Sequence, residues 1–143
     1  PKILIRQTAD RIVAATDNEV GYYCIDSVNV ALVKQNYAAS INFFVGLLNS
    51  ALLNFYYRQI SQEVGRVLAQ VKPQRIKALP IADISVSQQA HLVKLVDRIL
   101  AAKRLDPEAD TTTLEQKIDQ LVYKLYDLTD EEITIVEEAA IAK

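Results

Sequence analysis

Ten polar or basic side chains within residues 1–82 could bind nucleic acid. Arginine can donate two hydrogen bonds to guanine and glutamine can pair with adenine in the same way, while lysine and threonine suit phosphate contacts. We expect these side chains at strand ends and in turns, where a rigid scaffold can present them. Taken alone, however, they are explained better by ordinary solvation of surface loops. The ten predicted DNA-binding residues are Arg6, Gln7, Thr8, Arg11, Arg66, Gln70, Lys72, Gln74, Arg75 and Lys77.

The residue types that would build a small enzyme are missing from the sequence. Its three glycines are scattered, so they form no phosphate-binding loop, and one histidine with one cysteine cannot make a zinc site. His91 has no evident partner that would make it a general base. Glu115 and Lys117 superficially match a nuclease pattern, but Glu115 is better explained as part of a helix cap. We therefore predict no catalytic residue, no metal and no cofactor within this chain.

The charge is divided along the chain. Residues 1–82 carry nine Lys or Arg and five Asp or Glu, whereas residues 83–143 carry seven and thirteen. A phosphate backbone would attract the first part and repel the second. The single cysteine, Cys24, fits a reducing compartment, so we expect a cytoplasmic protein. The sequence contains no methionine and begins at Pro1, which suggests a piece of a longer protein.

The first part is predicted to mix strands with one buried helix. Residues 2–6, 11–15 and 22–33 have strand patterns, and the turn-forming residues 17–21 predict a hairpin between the second and third strands. Apolar residues at helical spacing then predict a helix from an N-cap at Ser40 to about Gln59. A membrane span was the competing interpretation, but polar residues interrupt the apolar run too often. Residues 66–71 and 78–81 are predicted to be extended, with a turn at 72–74.

The second part is predicted to be helical. Apolar stripes at residues 92–100 and 114–125 are separated by a break at 106–108, so they should form an antiparallel hairpin with Leu121 buried. Two further helix starts are predicted by capping boxes at Thr112–x–x–Glu115 and Thr129–x–x–Glu132. Charged side chains of the hairpin should face water, namely Lys94, Arg98, Lys117 and Lys124. The predicted fold class is α+β, with a mixed α/β part at 1–82 and a helical segment at 83–143.

Several motifs occur along the chain in a fixed order. They are PKILIRQT at residues 1–8, GLLNSALL at 46–53, Tyr56-Tyr57 and IKALPI at 76–81, followed in the tail by LEQKID at 114–119 and LTDEEI at 128–133. Together they resemble the TaqI-like C-terminal specificity domain of restriction–modification enzymes, with its C-terminal extension. The resemblance implies that residues 1–82 are part of an α/β DNA target-recognition domain. The chain departs from that pattern at residues 62–66, where such domains are richer in glycine.

The resemblance implies a part of a larger enzyme and not a complete one. Such an enzyme transfers a methyl group from S-adenosylmethionine to adenine N6, often with a fused nuclease that would use Mg²⁺, and reads double-stranded DNA with this domain. The Asn-Pro-Pro-Tyr type of catalytic motif is absent here, so an upstream methyltransferase domain is expected on the same polypeptide. Two alternatives remain from the sequence: a helical protein–protein interaction or oligomerisation module, and a target-recognition half of a separate type I specificity subunit.

Overall fold

The strands of the chain form a three-stranded antiparallel sheet with the order β2-β1-β3. The structure, a computed structural model, describes residues 1–35 and 37–141. The central strand β1 (Lys2–Arg6) pairs with β2 (Ala14–Asp17) on one side and with β3 (Val28–Ala31) on the other. Ile3 and Ile5 of β1 are buried, so one face of the sheet covers the core.

The predicted hairpin between the second and third strands is wrong. β2 and β3 lie on opposite edges of the sheet, and the antiparallel neighbour of β2 is β1. The carboxylate of Asp17 accepts hydrogen bonds from the backbone amides of Gly21, at 3.0 Å, and Tyr22, at 2.6 Å. These bonds satisfy the turn locally and let the chain leave the sheet edge. The second and third strands are also shorter than predicted.

The predicted long helix is two helices, α1 (Ile41–Asn49) and α2 (Ala51–Ser61). Ser50 between them is extended, with φ −64° and ψ 153°. Its hydroxyl donates to the Leu47 carbonyl at 2.7 Å and accepts from the Leu53 amide at 3.3 Å, so one side chain ends α1 and caps α2. The predicted N-cap at Ser40 is confirmed.

The segment after α2 is mostly irregular. Residues 66–71, predicted to be extended, do not form a strand of the sheet. Within them, Gln70 makes an isolated antiparallel bridge with Thr8. The predicted turn at 72–74 is the start of a short helix, α3 (Pro73–Ile76), with proline in its first turn. Proline suits that position because its missing N–H would have no partner inside the helix.

Three helices complete the chain: α4 (Val86–Leu105), α5 (Thr112–Leu125) and α6 (Asp130–Ile141). α5 packs against α4 after a six-residue connection, residues 106–111. The predicted capping box at Thr129 is confirmed by reciprocal bonds with Glu132, at 2.8 and 3.3 Å. The capping box at Thr112 is wrong, because the N-cap of α5 is Thr111. The four charged side chains predicted to face water are exposed.

One hydrophobic core draws on both parts of the chain. It joins the sheet, α1 and α2 to Leu92 and Val96 of α4 and to Ile118 and Val122 of α5. Leu121, predicted to be buried, is half-buried, and its neighbour Val122 is fully enclosed. The α+β class predicted from sequence is confirmed.

Within residues 1–35 and 37–141, no helix is long and apolar enough to cross a membrane. The last two residues of the predicted helical segment, 142 and 143, lie outside the described residues.

Candidate nucleic-acid interface

Three separate segments meet where β1 ends. The Gln7 amide donates to the Ser27 carbonyl at 3.0 Å, and the Gln7 carbonyl accepts from the Val71 amide at 2.7 Å. The side-chain amide of Asn29, in β3, donates to the Val71 carbonyl at 2.9 Å. These bonds hold residues 6–8 beside residues 70–72, although more than sixty positions separate them in sequence.

Five of the predicted DNA-binding residues share this place, which we call the recognition edge. Arg6, Thr8, Gln70 and Lys72 are exposed there, and Gln7 is half-buried. Their backbone is fixed by β1, by the Thr8–Gln70 bridge and by the bond between Gln7 and Val71. The recognition edge therefore presents hydrogen-bonding and cationic side chains from a rigid frame, as base and phosphate contacts require.

A buried carboxylate fixes the loop that leads into the recognition edge. Glu63 Oε1 lies 3.3 Å from a terminal guanidinium nitrogen of Arg66 and 3.2 Å from Lys72 Nζ, and Glu63 Oε2 accepts from the Gln70 amide at 3.4 Å. The hydrogen bond from Lys72 holds the pKa of Glu63 below its ordinary value, against the opposing effect of burial. Residues 62–70 are called the Glu63 loop below.

The Glu63 loop and Lys72 together carry a net positive charge. The Glu63 side chain is 5% exposed, whereas Arg66 is 62% and Lys72 51% exposed. Two cations therefore share one carboxylate and still face solvent. An anion such as a phosphate can approach both without displacing the buried carboxylate.

The remaining predicted residues divide between two places. Gln74, Arg75 and Lys77 are exposed on or directly after α3, which follows Lys72 and packs against α2. They are thus close in sequence to the recognition edge, and the helix that carries them is supported by α2. Arg11 lies elsewhere, since it lines an open cavity of about 420 Å³ together with residues of α2, α5 and α6. The structure does not bring Arg11 to the recognition edge.

Several residues that shape the site were missed by sequence reasoning. Tyr57 is fully enclosed, and its hydroxyl donates to the Gln70 carbonyl at 3.3 Å, which positions the edge from below. Asn29 lies in a strand with no local signal of its role. Glu63 could have been found, because it is the only acidic residue between Asp26 and Asp83 and it lies among cations.

Among the residues that the structure describes, no three His, Cys, Asp or Glu side chains are placed to hold a metal ion. His91 is exposed on α4, and Glu115 accepts a hydrogen bond from the Thr111 hydroxyl at 2.6 Å at the start of α5. The Glu115 carboxylate is therefore paired with a side-chain hydroxyl, but the side chain of the N-cap residue Thr111 makes no hydrogen bond to a backbone amide of α5, so the capping role predicted for Glu115 is wrong.

Comparison with known proteins identifies the first part of the chain. The model of the TaqI-like C-terminal specificity domain matches residues 1–81, more than half of the chain. All ten predicted DNA-binding residues lie within the matched range. No curated protein and no solved structure matches the chain. The chain therefore belongs to the TaqI-like C-terminal specificity domain family, which has a DNA-specificity role in restriction–modification enzymes.

Proposed function

We propose that this chain binds duplex DNA and selects the target sequence of an adenine-N6 DNA methyltransferase. The observation that carries the proposal is the recognition edge, where side chains suited to base and phosphate contacts come together from distant parts of the matched domain. Loop solvation does not require such convergence. The family supplies the nucleic acid as the partner, and the geometry supplies a surface for it.

Two chemical roles are divided among the side chains of the recognition edge and those on or directly after α3. Lys72 and Lys77 neutralise phosphates, which positions the duplex without reading its sequence. Gln7 and Arg75 read base edges, because one follows a strand and the other lies in α3, so both leave a fixed backbone. Arg6 and Gln74 are further candidates for base contacts.

The chemistry of the reaction belongs to another part of the same polypeptide. That part would be a methyltransferase domain that binds S-adenosylmethionine, with a Mg²⁺-dependent nuclease where one is fused. The acidic helical segment, residues 83–143, packs against the recognition part and faces away from the DNA, because phosphates would repel it. The complete enzyme would act in the cytoplasm, where its DNA substrate is.

The proposal is tested by selecting duplexes from a randomised library with the 143-residue chain. We expect enrichment of a defined site, with an affinity that falls as salt concentration rises. Lys72→Ala and Lys77→Ala should weaken all duplexes alike and reduce the salt slope by about one unit. Gln7→Ala and Arg75→Ala should each cost about 1–3 kcal/mol on the selected site and relax one position.

Matched controls are the exposed lysines of the helical segment. Lys94→Ala and Lys117→Ala remove the same charge from α4 and α5, so they should leave affinity and salt slope unchanged. If the chain enriches no site, or if the control lysines matter as much as Lys72 and Lys77, the recognition edge does not bind DNA.

A protein-interaction role is the second candidate, and exposed apolar side chains near β3 favour it. Tyr22, Tyr23, Ile25 and Leu32 are each more than half exposed around this edge strand. Unpaired edge strands with apolar neighbours are sites of protein association. Sedimentation velocity over a range of concentrations would reveal self-association, and Tyr23→Ser should abolish it if these side chains form the contact.

A further inference from the structure

The tip of the Glu63 loop exposes two neighbouring aliphatic side chains. Val67 is 99% and Leu68 77% exposed, although apolar residues of this size are usually buried. The next residue, Ala69, is 7% exposed, so the chain returns to the core directly after the tip. The two side chains therefore project from the protein as a small apolar pair.

The loop holds this tip in a defined position. Gln62 and Gly65 adopt positive φ values of 55° and 80°, which reverse the chain on either side of the buried Glu63. The Glu63 carboxylate then ties Arg66, before the tip, to Lys72, after it. A tip closed at its base in this way is presented to a partner and not collapsed onto the protein surface.

Charge around the tip indicates what the partner is. Residues 62–77 contain four cations, Arg66, Lys72, Arg75 and Lys77, and a single carboxylate, which is buried. The tip is also joined to the recognition edge through Gln70, whose amide binds Glu63. A polyanion with apolar groups exposed in a groove between its charged strands fits this arrangement, and duplex DNA is such a partner.

We propose that Val67 and Leu68 recognise the methyl group of thymine in the major groove of the target site. This inference rests on the proposed function and deepens it. Thymine presents the one apolar group among the base edges of that groove, whereas cytosine offers an amino donor at the corresponding edge. Two aliphatic side chains without a hydrogen-bonding group favour the methyl and leave the cytosine donor unpaired. Arg66 and Lys72 hold the flanking phosphates while the tip enters the groove.

The test replaces thymine by uracil, one position at a time, in a duplex enriched by the wild-type chain. Uracil lacks the methyl group and keeps every hydrogen bond, so a direct contact costs about fourfold in affinity at that position. Val67→Ser and Leu68→Ser should each lower the affinity for the thymine duplex. Each variant should then bind the uracil duplex as well as it binds the thymine duplex. Both residues are exposed, so both variants should melt at the wild-type temperature.

Leu105→Ser is the matched control, since Leu105 is 90% exposed at the end of α4. It should keep the full preference for thymine. The inference is overturned if no thymine shows a uracil penalty, or if both serine variants retain it. A third result would also overturn it: a thymine that permanganate oxidises in the complex with the wild-type chain but not in the complexes with the serine variants. Such a thymine would be unstacked by the tip, which would then act as a wedge between base pairs. A wild-type chain that enriches no duplex would instead refute the proposed function itself.

Discussion

At the scale of single residues, Glu63 organises the candidate interface from a buried position. Its buried carboxylate accepts bonds from Arg66, Lys72 and the Gln70 amide, which together define the loop and one end of the recognition edge. Asp17 plays a comparable part at the other side of the sheet. Burial raises its pKa, but the amides of Gly21 and Tyr22 and the ammonium of Lys2 outweigh that effect and lower it.

Glu63→Gln should destabilise the chain at neutral pH and relax the Glu63 loop. The folded-state pKa of Glu63 is lowered, so its ionised form stabilises the fold above the ordinary value of 4.5 and loses this effect as pH falls through the folded value. The difference in unfolding free energy between wild type and variant should therefore be largest near pH 7 and shrink below pH 4.5. Urea unfolding at a series of pH values measures it.

Glu108→Gln provides the control, because Glu108 is exposed in the connection between α4 and α5. It should show no comparable pH-dependent difference. A Glu63→Gln variant as stable as the wild type at every pH would mean that the carboxylate does not hold the loop.

At the scale of elements, close contacts between helices and polar ties to the sheet set the position of the interface. Asn49 both donates to and accepts from the backbone of Ala14, and Asn54 accepts from the Ile12 amide at 2.8 Å. These amide side chains join β2 and the segment just before it to α1 and α2. The apolar packing of α1 on α4 depends on Gly46, which faces Leu92 and Val96.

Gly46→Ala should destabilise the fold through overpacking. A Cβ at this position would lie 2.3 Å from Leu92 Cδ2 and 2.9 Å from Val96 Cγ2, and both side chains are buried. The strain outweighs the gain in helix propensity, for a net loss of about 1–2 kcal/mol in chemical denaturation. In a Leu92→Ala background, Gly46→Ala should cost less than it does in the wild type if the clash is its cause. A more stable single variant would show that α1 and α4 can separate at no cost.

Asp119 of α5 caps the start of α2, since its carboxylate accepts from the Ala51 amide at 2.8 Å. Burial raises the pKa of Asp119, with Glu115 and Glu137 adding to the effect, so its ionised form opposes folding as pH rises above the ordinary value of 3.8. Asp119→Asn keeps an acceptor without the charge. It should be at least as stable as the wild type at pH 7, with less advantage in acid.

Asp119→Ala separates the hydrogen bond from the charge. It leaves the Ala51 amide unpaired and should cost about 1–3 kcal/mol in thermal or chemical unfolding. If the asparagine variant is as unstable as the alanine variant, the charge and not the acceptor is what α2 requires.

The strands and helices show which features of the fold can be predicted from the sequence. β1 and the start of α1 are predicted correctly because alternation and a local cap determine them. The break at Ser50 was missed, since the apolar pattern continues across it and the hydroxyl alone ends one helix and begins the next. The predicted hairpin is wrong for a tertiary reason. β2 pairs with β1, and Asn49 and Asn54, more than thirty residues away, bind Ala14 of β2 and Ile12 just before it.

At the scale of the whole molecule, residues of the candidate interface could be chosen from chemistry, but their arrangement could not. Nothing in the local sequence indicates that Gln7 pairs with Val71. Nor does it indicate that Arg11, four residues after Gln7, lines a cavity away from the recognition edge. The ten side chains remain predicted DNA contacts. The charge differs between the two parts of the chain, but their apolar side chains do not separate: the acidic helices and the basic recognition part share one core.

That shared core leads to a prediction about the chain as a unit. Leu92, Val96, Ile118 and Val122 belong to the same buried cluster as the sheet, α1 and α2, so residues 1–82 alone would expose the surfaces that these side chains cover. The whole chain should therefore unfold in one transition, with the same midpoint by circular dichroism and tyrosine fluorescence. The isolated residues 1–82 should show no cooperative melting, because burial of four such side chains contributes about 6–12 kcal/mol, which is comparable with the usual total stability of about 5–15 kcal/mol. Adding residues 83–143 as a separate peptide should restore melting if packing alone is needed. A cooperative transition in residues 1–82 by themselves would show that the recognition part folds independently and that the helices act on it only from outside.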